Sequence, residues 1–107
     1  MTNYIPDAGD VVWLNFDPQV GHEQAGHRPA LVISPALYNG RIGLMICCPM
    51  TTKIKGYPFE VLVDDNSAVL ADQVKSLDWR KRGAVKKSSV PASVLSEVKA
   101  KVKTLIG

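Results

Sequence analysis

His22, Glu23, Gln24, His27 and Arg28 fall within seven residues and form the densest group of proton-handling and anion-binding side chains in the sequence. A carboxylate, a guanidinium and two imidazoles can together hold and move protons. Cleavage of RNA suits such a set, because RNA carries its own nucleophile, the 2′-hydroxyl beside each phosphate. The protein then needs a base for that proton, an acid for the leaving 5′-oxygen, and donors for the charge that builds on phosphorus. The planar fork of arginine matches phosphate oxygens, and a threonine hydroxyl adds a donor. Thr51-Thr52, after Pro49-Met50, is a candidate for that second part. The plain alternatives are a loop whose charges pair with one another and a threonine pair that caps a strand end.

Other hydrolytic machinery is missing from the sequence. Neither histidine pairs with cysteine at ligand spacing. No glycine-rich phosphate loop precedes a helix, and no serine lies in a nucleophile elbow. Cys47 and Cys48 are adjacent. On a strand they would point to opposite faces, so they neither bridge nor clasp one metal, and buried small residues are the simplest reading.

The elements that must position these residues are mostly strands. Residues 10–16 read as a strand entered through Gly9, followed by a polar loop over 17–28. That loop exceeds the roughly two to five residues usual in a hairpin, and long ordered loops tend to carry function. Ala30–Ser34 reads as a second strand stopped by Pro35, and residues 42–48 as a third ended by Pro49. The nearly continuous apolar run of the third predicts burial on both faces, one on the core and one on a dimer mate. Phe59–Val63, Ala68–Leu77 and Gly83–Ser88 complete the strands.

The period then changes. Leu95, Val98, Val102 and Leu105 share one helical face, with Pro91 near the start and Ser88 or Ser89 as the cap. Lys99, Lys101 and Lys103 lie in the last turns, where they favour the helix dipole, and a solvated face is their plain reading. Short antiparallel strands closed by one helix predict a mainly β fold, a small barrel with helical additions.

The 107 residues make one domain, 1–107, with a modest core. Hydrophobic residues at 46% and charged residues at 21% are ordinary for a globular protein. No apolar run approaches the roughly 20 residues that span a bilayer. The N-terminus has no basic-then-apolar leader, so a cytoplasmic protein is expected. The net charge of +3 is uneven: residues 1–50 sum to −2 and residues 51–107 to +5. A basic half is compatible with a polyanionic partner, although many basic proteins bind no nucleic acid.

Gly21-His22-Glu23-Gln24-Ala25-Gly26-His27-Arg28-Pro29 resembles the G-x-E-Q-x-G-x-R-P signature of the MazF/PemK toxins. The resemblance continues through Gly9-Asp10, Asp17-Pro18, Pro49-Met50-Thr51-Thr52, Lys55-Gly56-Tyr57-Pro58-Phe59-Glu60 and Ala71-Asp72-Gln73-Val74-Lys75-Ser76. It spans essentially the whole chain and is nearest to the enterobacterial MazF branch.

The resemblance implies an SH3-like, plasmid-maintenance-toxin barrel with a C-terminal α-helix, working as a homodimer. It implies a cytoplasmic endoribonuclease that cuts single-stranded messenger RNA at a short motif, ACA-type at a guess. The products are a 2′,3′-cyclic phosphate and a 5′-hydroxyl, formed with neither metal nor cofactor. It further implies a cognate antitoxin whose flexible acidic tail inhibits the enzyme.

By motif position, the resemblance implies Arg28 for proton transfer and phosphate stabilisation and Thr51 as a donor on the scissile phosphate, with Glu23 as base or ribose-positioning group. Arginine is a poor general base, since its pKa lies above about 12, so Glu23 and Asp72 stay open for that role. Asp72 and Gln73 match base-contacting positions, and His27, Thr52 and Lys55 are RNA-contact candidates, with Lys53 and Lys75 as further phosphate contacts or solvated surface. The PemK-like branch carries an arginine where Leu70 stands here, which excludes a mechanism using that arginine as acid. His22 matches a histidine of that branch and is as readily a bystander. Trp13 and Trp79 are read as core or interface in preference to base-stacking groups. A toxin of the same barrel that poisons a protein target such as DNA gyrase is the competing reading, and a plain SH3-like interaction module ranks below it; fold alone does not separate them.

Overall fold

The computed structural model describes residues 4–16 and 26–107. Strand β1 is Asp10–Asn15, β2 His27–Val32, β3 Leu44–Thr51, β4 Glu60–Asp64, β5 Ser67–Leu70, β6 Lys75–Asp78 and β7 Val85–Ser89. Helix α1 is Ala36–Ile42, α2 is Ala92–Ile106, and a 3₁₀ turn at Ala71–Gln73 separates β5 from β6. All pairings are antiparallel and run in the order β4-β5-β3-β2-β1-β7, with β6 also on β3. The result is the mainly β fold expected, a curled sheet with a C-terminal helix.

Both faces of the sheet are apolar because side chains alternate along each strand. Val11, Leu31, Cys48 and Met50 point to one side, where Val98 and Val102, four residues apart on α2, close over them. Val12, Leu14, Val32, Met45 and Cys47 point to the other, where Trp79 covers them. Each fully buried valine or leucine contributes about 1.5–3 kcal/mol. The two cysteines lie in different cores, and burial pushes both thiols up to about 12. The second face of β3 is thus filled within one chain, where a dimer mate was expected, because Trp79 is large enough to cap it. On α2, Leu95 packs on the core but Leu105 stays 47% exposed, since the sheet ends before it.

Five boundaries differ from the expectation. His27 and Arg28 lie inside β2 and not in the preceding loop, because pairing with Asn15 and Leu14 extends the hairpin toward its tip. Ile42 ends a helix instead of starting a strand. Pro35 before α1 and the left-handed Gly43 after it (φ 81°) are ordinary helix punctuation. Pro49 does not stop β3. It sits between the last β6 pair, at Cys47, and the first β5 pair, at Met50, where the strand changes partner and a missing N–H is most easily accommodated. The expected single strand over 68–77 is two, since its register on β3 jumps by three residues, the length of the 3₁₀ turn. Neither Ser88 nor Ser89 caps α2; Pro91 holds the N-cap place without a side-chain bond, because both serines remain paired in β7.

One buried residue ties the periphery together. Asn39 of α1 is fully buried; its Nδ2 donates to the Pro6 carbonyl (2.7 Å) and the Ser34 carbonyl (3.0 Å), and its Oδ1 accepts from Ser34 Oγ (2.6 Å). Its backbone carbonyl accepts from Trp79 Nε1 (2.9 Å). The N-terminal segment, α1 and the cap of the second core are therefore fixed to one another.

Candidate functional site

A groove of about 550 Å³ opens on the α2 side of the β1–β2 hairpin, between that hairpin and the ends of β4 and β5. Its floor is set by register. Trp13 faces Pro29 and Asn15 faces His27 across the β1–β2 pairing, so Trp13 and His27 are delivered to one face by two adjoining strands rather than by a loop, whereas Arg28 pairs with Leu14 on the face of the second core. Thr52, just beyond the end of β3, enters from the opposite wall. The groove thus joins two of the residues singled out from sequence, His27 and Thr52, to Trp13 and Lys87, and Arg28 borders it from a position whose pairing with Leu14 belongs to the other face.

The remaining candidates are distributed around it. Thr51 is buried, paired with Ala68, and its Oγ1 accepts from the Lys53 N–H at 3.0 Å. That bond makes the strand-end turn that was its plain reading, and it leaves the hydroxyl hydrogen to be donated elsewhere. Glu23 and His22 lie outside the described residues. Lys75 belongs to a different surface, with its Nζ 5.8 Å from the Phe16 ring centroid.

Asp72, Lys55 and Tyr57 form a second group. The 3₁₀ turn lifts Asp72 out of the sheet while Ala71 stays buried, and Tyr57 Oη donates to Asp72 Oδ1 at 2.6 Å. Partial burial and that bond raise the Tyr57 pKa well above its ordinary value, so the hydroxyl remains a donor. The 52–59 segment is braced from beneath. The Glu60 carboxylate accepts from the N–H groups of Lys55 (3.1 and 3.0 Å) and Gly56 (2.6 Å), and Lys101 Nζ donates to the Pro58 carbonyl at 2.6 Å. Lys101 is therefore a tether to α2 and not a solvated lysine. Gly56 holds a positive φ of 78°, which lets both N–H groups converge on one carboxylate. Gln73 completes the turn beside Asp72.

Two features were missed from sequence. Trp13, read as core or interface, belongs to neither core and lines the groove; a tryptophan alternating with Val12 and Leu14 gives no sign of which face is covered. Trp79 is a core residue, as expected. Lys87 reaches the groove only because the β1–β7 register shifts between Val11 and Val12, and no residue type in β7 announces that bulge. Among the described residues no three histidine, cysteine, aspartate or glutamate side chains are grouped to hold a metal ion. No helix among them is long and apolar enough to cross a membrane.

A sequence profile described as PemK-like, MazF-like toxin of type II toxin–antitoxin system matches residues 7–106. The chain is 52% identical over 110 residues to the endoribonuclease toxin MazF of Escherichia coli K12, covering 100% of this chain and 99% of that protein. It is 28% identical to the endoribonuclease PemK of Escherichia coli, over 94% of this chain and 81% of that one. Its fold superposes on the crystal structure of MazF from Deinococcus radiodurans with a TM-score of 0.92 and 56% identity, covering 98% and 99% of the two chains. A MazE–MazF structure from the same organism matches with a TM-score of 0.88 and 56% identity, over 98% of each chain.

Proposed function

The chain belongs to the PemK-like, MazF-like toxin family of type II toxin–antitoxin systems, and from that premise we propose that it is a sequence-specific endoribonuclease cutting single-stranded RNA without a metal. The observation that supports the chemistry is register: Arg28 pairs with Leu14 on the face of the second core, and the β2–β3 pairing of Ala30 with Pro49, continued two residues, sets Arg28 opposite Thr51 on that same face. Arg28 binds the scissile phosphate and stabilises the charge on its oxygens as the 2′-hydroxyl attacks. The hydroxyl of Thr51 donates a further hydrogen bond to that phosphate, and Thr52 and His27 contact the RNA. Glu23 takes the 2′-hydroxyl proton or positions the ribose, and Arg28 passes a proton to the 5′-oxygen as the P–O5′ bond breaks and regains one from water; the products are a 2′,3′-cyclic phosphate and a 5′-hydroxyl. Asp72 and Gln73 read base edges from the 3₁₀ turn, as recognition of unstacked RNA requires, and Lys55 beside them contacts phosphate.

The protein works in the cytoplasm as a homodimer restrained by a cognate antitoxin. The MazE–MazF structure of the Deinococcus relative supports the antitoxin; an acidic flexible tail would compete with RNA for a basic groove. An apolar groove of about 730 Å³ between β3 and α2, lined by Ile33, Tyr38, Ile46, Val102 and Ile106, supports a second copy as its occupant. Ile106 there is 78% exposed in the single chain.

Purified protein incubated with defined RNA in excess EDTA should cut at fixed positions and leave cyclic-phosphate ends. Cleavage abolished by the chelator, or continuing when the 2′-hydroxyl at the cut site is replaced by hydrogen, would overturn the mechanism. Intact RNA under all conditions would favour a toxin that acts by binding a protein target.

A further inference from the structure

We propose that Trp13, His27 and Lys87 form a nucleotide subsite next to the cleavage position, in which a base stacks on the Trp13–His27 pair and Lys87 contacts the adjoining phosphate. The proposal rests on the reading that the groove carries RNA.

The Trp13 and His27 rings are stacked, with centroids 5.6 Å apart and planes 17° from parallel. Backbone register puts them together: Trp13 pairs with Pro29 and Asn15 with His27, so the two rings are diagonal neighbours on one face of the hairpin, within reach for aromatic side chains. Neither ring joins a core cluster. A tryptophan that packed for stability alone would be covered by aliphatic side chains, as Trp79 is; Trp13 instead lines a groove with His27 and Thr52.

Lys87 supplies the charge. The β7 strand carries one more residue than β1 across Val11 and Val12, so the bulge turns both Lys87 and Ser88 toward the groove. Bulges often re-aim a side chain beside a functional site. Lys86 instead faces Asp10, at 3.6 Å, so two successive lysines serve different purposes. Lys87 Nζ stands 5.6 Å from the Trp13 ring centroid, where an incoming base would displace it to the ring edge, within reach of the phosphate that follows. The groove's described lining has one carboxylate, Asp64, which accepts from the Asn66 N–H (2.8 Å) and the Ser67 hydroxyl (3.0 Å). Lys87 stands against it at the Trp13 ring, which puts a cation beside the aromatic pair. Its volume of about 550 Å³ lies within the range of small-ligand sites. An aromatic platform with a cation at its rim is the usual receptor for a base of a single strand, because every base has a π face.

The test pairs protein and substrate changes. Steady-state cleavage in EDTA is measured for wild type, W13A, W13F and K87M on RNAs carrying an abasic residue at each position flanking the cut. One abasic position should raise the wild-type KM by at least about fivefold, the low end for a lost base stack. W13A should raise KM similarly on intact RNA and lose nothing further at that position. K87M should lower the slope of log KM against log salt by about 0.7, one phosphate contact on a single strand. W13F keeps a smaller ring and should fall between wild type and W13A; with K87M it keeps the test open where W13A fails to fold. Effects of W13A, or of W13F in its place, and of every abasic position that multiply as independent factors refute the subsite, as does an unchanged salt slope in K87M. A wild type that cuts none of the RNAs refutes the endoribonuclease reading itself.

Discussion

Replacing Tyr57 by Phe removes one oxygen and tests whether Asp72 reads a base. The hydroxyl donates to Asp72 Oδ1 at 2.6 Å, and the ring remains to fill the same space in Y57F. A hydrogen bond to a charged group contributes about 1.5–3 kcal/mol. Asp72 is exposed, so solvent screening reduces this to about 1 kcal/mol. That energy holds the carboxylate in one orientation, with Oδ2 left to accept from a base amine. Released, the carboxylate must be ordered again on binding, and only the substrate whose base it contacts bears the cost. About 1 kcal/mol corresponds to roughly fivefold in an equilibrium or rate ratio. The assay is kcat/KM for the preferred RNA and for its single-base variants. Y57F should lose about fivefold in discrimination at one position while kcat on the preferred RNA stays within about twofold, because Arg28 and Thr51 are untouched. D72N should lose discrimination at the same position, by more. Uniform loss at every position, or discrimination unchanged throughout in Y57F, refutes the assignment of Asp72 to base reading through Tyr57.

Arg28→Ala should lower cleavage by at least about a hundredfold, the scale of a lost acid–base or oxyanion group; normal cleavage in a gel assay would remove Arg28 from the chemistry. Asn39→Ala should cost about 3 kcal/mol or more in urea unfolding, since it strands the Pro6 carbonyl and leaves Ser34 short of partners, at about 1–3 kcal/mol for each buried group. A loss below about 1 kcal/mol would contradict the pinning role. Stability should be complete below pH 9 and fall as the pH rises from 9 toward about 12, because the unfolded thiols ionise near 9.0 while burial holds Cys47 and Cys48 protonated to about 12. Denaturation midpoints on either side of pH 9 check this, and a midpoint that rises across that interval refutes it. For the same reason iodoacetamide should label neither thiol at the rate of a free cysteine.

The sequence revealed most where one residue type settles one local question. The runs at 10–16, 59–63 and 83–88 match β1, β4 and β7 to within a residue or two, and the Val98–Val102 spacing located α2. Cys47 and Cys48 were placed on opposite faces by strand geometry alone. Breaker residues misled where tertiary pairing overrode them: Pro49 is accommodated because β3 changes partner there, a fact held by β5 and β6 and not by residues near 49. The same jump created the 3₁₀ turn that presents Asp72 and Gln73, so the reason for their exposure is long-range. The candidate site divided similarly. Arg28, His27 and Thr52 were identified by type and motif, while Trp13 and Lys87 joined them through a diagonal contact and a bulge that only the assembled sheet contains. Glu60 stands out in the sequence only as part of a motif block, whereas in the fold its carboxylate holds the backbone of residues 55 and 56.

On the proposed reading, the arrangement separates two requirements that a sequence-specific nuclease must meet together. Arg28 and His27 lie at the start of β2, held by pairing with Leu14 and Asn15 of β1, and the strand they open is locked onto β3 from Ala30 onward. Asp72 sits on a three-residue turn tied to the preceding segment by the Ala71 N–H, which donates to the Phe59 carbonyl at 3.0 Å. A turn of that kind tolerates a change of side chain without moving the sheet. Specificity can then drift at positions 72 and 73 while Arg28 is held, provided that the neighbouring segment stays ordered. Glu60 and Lys101 supply that order from outside the groove. If Asp72 and Gln73 read bases as proposed, substitutions in that one turn should change which base is preferred and leave the rate of cleavage at the preferred site unchanged.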